Sequence, residues 1–350
     1  MKSGVTQQAI MTTQSTRKVG AVRCENHDDL AGACKRAFEM LPELLPRALP
    51  PQVVIKPNLC DITSWETGVT TDPRWLGVLA QLLRSIRPDV KISVVESDAI
   101  SAYKTFRSCE ETFERLGFVA AAQEAGINLV NLSQGDALEI SLDGIPIAVR
   151  IPQLFLEEMY FISIANLKLH PYTRMTGILK NSLGLLTDAD RSSLHPYLSV
   201  VLNRLHTLFP PDLCIIDGRI GLEGKGPILG RPVRMDTLLF GADALDADEA
   251  ACRLMGIRPR DVAHLRQTAK DLGRSFGGFE VVGDLRPRAF VFDNPEGQSA
   301  IEVKFAYRRW VQWLELFGSR WTDRAFRLRY DPLSFKKTIW ARLVGGRRAA

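Results

Sequence analysis

The sequence predicts an α/β fold in which a mostly parallel β-sheet lies between two layers of helices. Short apolar runs alternate with segments of helical periodicity along most of the 350 residues. Strands that are joined through helices pair in parallel, because a parallel pair needs a long crossover connection. With 45% hydrophobic and 24% charged residues, the composition is that of an ordinary globular protein. We therefore predict a three-layer domain over residues 19–295, preceded by a flexible lead-in of residues 1–18.

The elements of this domain can be assigned in chain order. Strands are predicted in KVGAVRC, QVVIKPN, KISVVES, INLVNL, YFISIANLK, LCIIDG and MDTLLFGA. Helices are predicted in DDLAGACKRAFEML, with Asn26 or Asp28 as its cap, and in DPRWLGVLAQLLRSI, CEETFERLGF, PYLSVVLNRLHTLF and DALDADEAACRLMG. The segment LEISLDGIPIAVRI predicts a β-hairpin insertion with Asp143-Gly144 at its turn.

The positive charge of the chain is concentrated near its C-terminus. The net charge is +5, yet residues 304–350 alone contain 12 Lys/Arg and 3 Asp/Glu, so the preceding part has a small negative charge. Aromatic and apolar residues recur there at helical spacing. We predict a basic helical extension over residues 296–350 that contacts the core, another protein or a membrane surface. No nucleic-acid-binding motif accompanies it, so nucleic acid is not an expected partner. The residues that recur at helical spacing are Trp310, Trp313, Leu314, Phe317 and Trp321.

The cysteines and the apolar runs bear on cellular location. The six cysteines are scattered and form no C-x-x-C pair, which excludes a zinc or iron–sulfur site built by local spacing. No run approaches the ~18 apolar residues that a membrane span needs, and the first twenty residues lack the apolar core of a secretory signal. We expect a cytoplasmic protein whose C-terminal extension can contact the inner face of a membrane.

Polar side chains follow five predicted strands at the point where each strand ends. The carboxyl ends of parallel strands share one edge of an open sheet, and ligands bind in the crevice outside that edge. Five separate segments are therefore expected to bring charged groups to one cleft. These residues are Lys56 and Asn58, Glu96 and Asp98, Lys168 and His170, Asp217, and Asp243.

The stretch NLKLHPYTRMTGILKN, residues 166–181, is the densest of these clusters. Lysines neutralise a carboxylate or a phosphate, and threonines donate directed hydrogen bonds. We predict Lys168, His170 and Lys180 as catalytic residues. His170 is a candidate general base or metal ligand, unless its ring only satisfies backbone carbonyls. The predicted substrate-binding residues are Lys56, Asn58, Thr71, Thr173, Thr176, Gly177, Asn181, His195, Gly224 and Gly226.

Acidic and glycine residues suggest two additions to this site. Asp217, Glu223 and Asp243 carry carboxylates that could hold a hard divalent cation through oxygen. The segment DGRIGLEGKGPILGRP is expected to form a loop whose backbone approaches an anion. It matches neither the Walker A pattern nor G-x-G-x-x-G, so its spacing alone is a weak signal.

Several motifs, taken in order, resemble those of the domain of unknown function 362, DUF362. The motifs are VVIKPNL, GVTTDP, VVESD, LKLHPYTRMTGILKNSLG, the later His195, IIDG, GLEGKGPILGRP and GADALDADEAACRLMG, which together cover about residues 50–257. The resemblance implies an α/β fold and a cytoplasmic bacterial or archaeal protein, but no reaction. Many members resemble iron–sulfur proteins through a ferredoxin-like cysteine module. This sequence has no such module, so no iron–sulfur cluster is expected.

Together these patterns predict an enzyme that binds a small anionic metabolite at the carboxyl ends of the strands. A divalent metal is a further expectation, and the reaction class stays open. The alternative is a non-catalytic binding or redox-partner module, which the association of the resembling family with ferredoxin-like segments favours.

Overall fold

A mixed β-sheet forms the centre of the protein, seen in a computed structural model that describes residues 17–100 and 106–293. Thirteen strands are present in this part of the chain. They are β1 (Arg17–Arg23), β2 (Gln52–Lys56), β3 (Lys91–Glu96), β4 (Ala99–Ile100), β5 (Phe106–Arg107), β6 (Asn128–Asn131), β7 (Ala137–Ile140), β8 (Val149–Pro152), β9 (Tyr160–His170), β10 (Arg174–Met175), β11 (Leu213–Glu223), β12 (Arg231–Gly241) and β13 (Phe279–Gly283).

Eight α-helices accompany these strands in the described residues. They are α1 (Leu30–Met40), α2 (Trp75–Ile86), α3 (Cys109–Arg115), α4 (Phe118–Ala125), α5 (Ile178–Asn181), α6 (Leu198–Leu208), α7 (Ala244–Leu254) and α8 (Ala263–Asp271). Helix α1 is capped by neither Asn26 nor Asp28. The Asp29 carboxylate accepts the Gly32 N–H instead, because α1 begins one residue later than its sequence suggests.

The main sheet has the strand order β13-β1-β12-β11-β9-β2-β3-β6, with β10 paired to β9. Five consecutive members, from β11 to β6, are parallel to their neighbours. The predicted α/β fold with a mostly parallel sheet is confirmed. The carboxyl ends of β2, β3, β9 and β11 therefore share one edge.

Strand β12 is antiparallel to both of its neighbours. Residues 224–230 are too few for a crossover, so they return the chain as a hairpin beside β11. Two consequences correct the sequence interpretation. Gly218 and Gly221 belong to strand β11 and not to an anion-binding loop. Asp243 follows β12 at the opposite edge of the sheet, since Gly241 pairs with Cys214 near the start of β11.

Helices cover both faces of the sheet. Val53 and Ile55 of β2 pack in a cluster with residues of α1, α2 and α4. Val54, which points to the other face, packs with Val201 and Leu205 of α6. This alternation between the two faces of one strand makes the fold three-layered.

The hairpin insertion is present as predicted. Strands β7 and β8 pair antiparallel in a separate two-stranded sheet. Gly144 adopts a left-handed conformation, with φ 82°, at the turn between them. The predicted lead-in (residues 1–18) lies outside the described residues except for its last two, and the basic extension (296–350) lies outside them entirely. Among the helices of the described part of the chain, none is long and apolar enough to cross a membrane.

Helix α5 begins against the side of α7. The backbone N–H groups of Ile178 and Leu179 donate to the Asp248 carboxylate at 2.6 and 3.0 Å. A Cβ atom on Gly177 would lie 2.2 Å from Asp248 Oδ1, closer than atoms can approach. Glycine is therefore required at 177 so that Asp248 can cap α5.

We expect Gly177→Ala to lower the free energy of unfolding by about 1–3 kcal/mol, because the cap must move to accept the methyl group. Gly77→Ala is the matched control. Gly77 is exposed in the first turn of α2, and nothing lies within 4 Å of its added Cβ. This control should raise the stability by up to about 1 kcal/mol through helix propensity. Urea unfolding of the two variants tests the opposite signs.

Candidate functional site

A cavity of about 170 Å³ lies at the shared carboxyl edge of β2, β3 and β9. The loop after β2 and the segment from Thr176 to Arg191 close its sides. Seven of the sequence-predicted site residues line it: Lys56, Asn58, Lys168, Thr176, Gly177, Lys180 and Asn181. The other residues of its lining are Leu59, Cys60, Glu96, Ser97, Ala99, Ala165, Asn166, Leu183, Gly184, Arg191 and Pro227.

Lys56, at the end of β2, is neutralised inside the cavity. Its Nζ donates to Glu96 Oε2 at 2.6 Å and to the Pro57 carbonyl at 2.9 Å. Both side chains are buried, at 2% and 9% exposure. The pair is local because β2 and β3 are parallel neighbours that end at the same edge. Lys56 therefore brings little net charge to a ligand.

Lys168, near the end of β9, is fully buried and has no carboxylate partner among the described residues. Its Nζ donates to the Val69 carbonyl at 2.7 Å and to Cys60 Sγ at 3.1 Å. Both partners belong to the loop after β2. This loop holds the ammonium group in position without cancelling its charge.

Lys180, in α5, lines the cavity without a partner of its own. In the described part of the chain, its Nζ makes no hydrogen bond and no ion pair. Burial, and then the positive charge of Lys168, lower the pKa of Lys180 from 10.5 to about 8. A minor fraction of this amine, about a tenth at pH 7, is therefore neutral near physiological pH.

Arg191 adds a third cationic group without a carboxylate partner. Its Nη2 donates to the carbonyls of Asp98 and Leu186, both at 2.9 Å, and to the Ser97 hydroxyl. Its Nε has no partner within the described residues. Burial lowers the pKa of Arg191, although nearby carboxylates oppose this effect.

Two asparagines hold the loops around the cavity. The Asn166 side chain joins β9 to the loop after β2, because it accepts from Asn58 Nδ2 at 3.0 Å and donates to the Thr70 carbonyl at 2.9 Å. Asn181 Nδ2 donates to the carbonyls of Lys56 and Ile164, both at 3.2 Å. An amide group suits such positions because it donates and accepts at once.

His170 does not line the cavity, although its sequence position suggested a general base. Its Nδ1 accepts the backbone N–H groups of Tyr172 and Thr173 at 3.1 and 3.3 Å, so the ring proton is on Nε2. Burial, followed by the positive charge of Lys180, lowers the pKa of His170 well below its usual range. The ring therefore bonds to the backbone, although to N–H groups rather than to the carbonyls that the sequence alternative named.

Five other predicted binding residues lie outside the cavity lining. Their hydrogen bonds and contacts account for their positions: Thr71 Oγ1 bonds to Asn166 Oδ1, Thr173 Oγ1 to the Met175 carbonyl, and His195 Nδ1 to the carbonyls of Arg191 and Ser192. Gly224 donates its N–H to Val291, and Gly226 packs against the Leu169 carbonyl. The glycine-rich segment therefore closes the β11–β12 hairpin.

The three predicted metal ligands do not come together. Asp217 accepts from Arg219 Nη2 at 2.7 Å and from the Trp75 indole N–H at 2.9 Å. Burial opposes ionisation of Asp217, but Arg219 outweighs it and holds the pKa of this carboxyl below its ordinary value. Among the described residues, no group of three or more His, Cys, Asp or Glu side chains is arranged to hold a metal ion.

Glu223 and Asp243 have their own structural partners. Glu223 accepts the Val291 N–H at 3.1 Å. Asp243 caps α7 through the Asp246 N–H and pairs with Arg274 at 2.7 Å. These contacts account for both carboxylates without a bound metal.

Four polar residues of the cavity were not proposed as site residues from the sequence: Cys60, Ser97, Asn166 and Arg191. Glu96 was expected in the cleft because it ends β3, and Ser97 follows it directly, whereas Asn166 lies inside β9. Cys60 and Arg191 lie in loops without any periodic signal, so their contribution depends on the tertiary fold.

Comparison with known proteins identifies the family of this chain. The sequence model of the domain of unknown function DUF362 matches residues 53–253, which is more than half of the chain. The chain belongs to the DUF362 family. The matched range includes the ends of β2, β3 and β9 together with α5. All residues that line the cavity therefore fall within the DUF362 region.

Two individual proteins are similar to this DUF362 member. A thylakoid-associated protein of Synechocystis sp. is 24% identical over 251 residues, which cover 69% of this chain and 75% of that protein. The structure of the lactate racemase apoprotein from Thermoanaerobacterium thermosaccharolyticum matches with a TM-score of 0.38 and 13% identity. That match covers 67% of this chain, which spans just over half (56%) of the racemase chain.

The lowered pKa of Lys180 predicts a specific pH dependence of stability. The unfolded chain holds this proton up to pH 10.5 and the folded protein only up to about pH 8. Between these values the unfolded state binds more protons, so the contribution of Lys180 to stability rises with pH. Below about pH 8 the full cost of burying its charge is present.

Lys180→Met should therefore stabilise the protein by a few degrees in melting temperature at pH 7, and this gain should disappear as the pH approaches 10.5. Lys91→Met, at an exposed position of β3, is the control and should show neither effect. Melting curves of the three proteins across this pH range provide the measurement. A gain that is independent of pH would contradict the assignment.

Proposed function

We propose that this DUF362 protein is an enzyme that binds a small metabolite with a carboxylate or phosphate group in the cavity at the carboxyl edge of the sheet. The observation that carries the proposal is the charge balance of the lining. Lys56, Lys168, Lys180 and Arg191 contribute four cationic groups, whereas Glu96 contributes the one acidic side chain of the described lining.

The excess of positive charge is clearer when the Lys56–Glu96 ion pair is left out of the count. Lys56 and Glu96 neutralise each other at 2.6 Å. Lys168, Lys180 and Arg191 then remain without a carboxylate within ion-pair distance among the described residues. Burying cations beside one another is unfavourable, and a bound anion would relieve this repulsion. The arrangement is therefore typical of a site that is completed by its ligand.

The dimensions of the cavity restrict the ligand. Its volume of about 170 Å³ is smaller than the roughly 300–1,000 Å³ of pockets for drug-sized molecules. A compound of a few carbon atoms fits this space better than a nucleotide. Enzymatic chemistry, rather than simple binding, is supported by Lys180, because its neutral amine can accept a proton or attack an electrophile near physiological pH.

The first experiment measures thermal stabilisation of the wild-type protein by phosphate, sulfate, acetate, lactate, pyruvate and succinate. At least one small anion should raise the melting temperature, since a ligand that binds only the folded state stabilises it. Lys180→Met should weaken the response by about tenfold or more in apparent affinity, as the loss of one charge-assisted contact implies. Lys91→Met should respond like wild type.

Turnover is then tested with the stabilising anions and neutral analogues, with substrate and product followed by nuclear magnetic resonance. Stabilisation with turnover that Lys180→Met abolishes would support an enzyme. Stabilisation without turnover would favour the binding-module alternative. An unchanged response of Lys180→Met to every anion would contradict the site itself.

A further inference from the structure

We propose that Lys180 forms a covalent imine with a small anionic carbonyl compound, whose carboxylate or phosphate group binds to Lys168 and Arg191. This inference rests on the proposed function and names the substrate class of the same cavity. Lys180, Lys168 and Arg191 all line the cavity, and none of them has a carboxylate partner in the described part of the chain.

The geometry separates Lys180 from the other two lysines of the cavity. Lys56 is held by Glu96 at 2.6 Å, and Lys168 is held by the Val69 carbonyl at 2.7 Å. Lys180 Nζ has no such acceptor among the described residues, so its lone pair becomes available on loss of a proton. A lysine becomes a nucleophile when it is desolvated or lies next to another cationic group, and both conditions apply here.

The neighbouring groups define the electrophile. A carbonyl carbon must approach Lys180 Nζ, while a negative group of the same molecule must reach Lys168 or Arg191. Two classes of compound satisfy these requirements and are small enough for the cavity: 2-oxo carboxylates and small phosphorylated ketones or aldehydes. Both share an anion separated from a carbonyl by only a few bonds.

The covalent step balances without a further reactant. The neutral amine of Lys180 attacks the carbonyl carbon, so that an N–C bond forms and the π electrons move to oxygen. Proton transfer from nitrogen to oxygen gives a carbinolamine. Loss of this hydroxyl as water, with the second nitrogen proton, leaves a C=N bond, and protonation of that nitrogen gives the iminium ion. No oxidant or reductant is consumed.

The iminium ion would activate the bound molecule for reaction. Formation of the C=N bond brings an electron-withdrawing nitrogen next to the carbon atoms that would react, and an iminium withdraws electrons better than the parent ketone. The anionic group of the ligand meanwhile pairs with Lys168 and Arg191 and offsets part of their charge. Relative to the empty cavity with Lys180 protonated, the bound state carries less positive charge.

The test traps the imine by reduction. Full-length protein is incubated at about pH 8 with pyruvate, or with dihydroxyacetone phosphate, and then treated with borohydride. Reduction of an imine leaves a stable secondary amine, so the protein gains the mass of one ligand less one oxygen atom. Intact-mass measurement and peptide mapping locate the adduct. We expect one adduct, on Lys180, from at least one of the two compounds.

Matched controls separate imine formation from simple binding. Lactate and phosphate are anions without a ketone or aldehyde group and should give no adduct. Lys180→Met should lose the adduct, whereas Lys91→Met should keep it. Which compound reacts distinguishes a carboxylate-bearing ligand from a phosphate-bearing one.

The outcomes distinguish this inference from the proposed function. Thermal stabilisation by pyruvate or dihydroxyacetone phosphate without a borohydride-dependent adduct would overturn the imine and leave the anion site standing. Adducts spread over exposed lysines, and retained in Lys180→Met, would overturn it as well. A protein that neither forms an adduct nor is stabilised by any of the tested anions would overturn both proposals.

Discussion

The step in the sheet where β9 runs past β2 is the constraint on which the cavity depends. Strand β2 ends at Lys56, which is paired with Ser163, whereas β9 continues to His170. Beyond this point the backbone carbonyls of β9 on the β2 side no longer have β2 as a neighbour. Because they are buried, they must find other hydrogen-bond donors. The segment after β9 supplies these donors and is folded back against the free edge as a result.

Three hydrogen bonds hold the segment after β9 against its free edge. Asn181 Nδ2 donates to the Ile164 carbonyl, Thr176 Oγ1 to the Asn166 carbonyl at 3.0 Å, and the Thr176 N–H to the Lys168 carbonyl at 2.9 Å. Lys180 lies between the two donors in sequence, so the same contacts place it near Lys168. The hydrogen bonds that satisfy a free strand edge thus also create the cationic cavity.

The carboxyl ends of parallel strands share one edge of a sheet, and this rule explains which parts of the site could be predicted from sequence. Lys56 and Lys168 follow apolar runs whose parallel pairing is itself predictable, so their meeting at one edge could be derived. Asp243 follows an equally clear run but lies at the other edge, because the short connection before β12 reverses its direction. Asp217 could not be separated from a ligand residue, since its partner Arg219 gives no signal in the sequence. Strand periodicity predicts position along an edge, whereas partners are determined by tertiary packing.

The contrast between Lys56 and Lys180 shows why partners decide function here. Both line the same cavity, and residue type alone does not distinguish them. Lys56 has a carboxylate on the adjacent parallel strand and is neutralised, so its contribution is structural. Lys180 has Lys168 as its charged neighbour, and its pKa falls accordingly. Such a half-buried cation without an acid costs stability, and proteins retain this cost mainly where function requires it. The lysine that is least well satisfied in the empty cavity is therefore the one most able to react with a ligand.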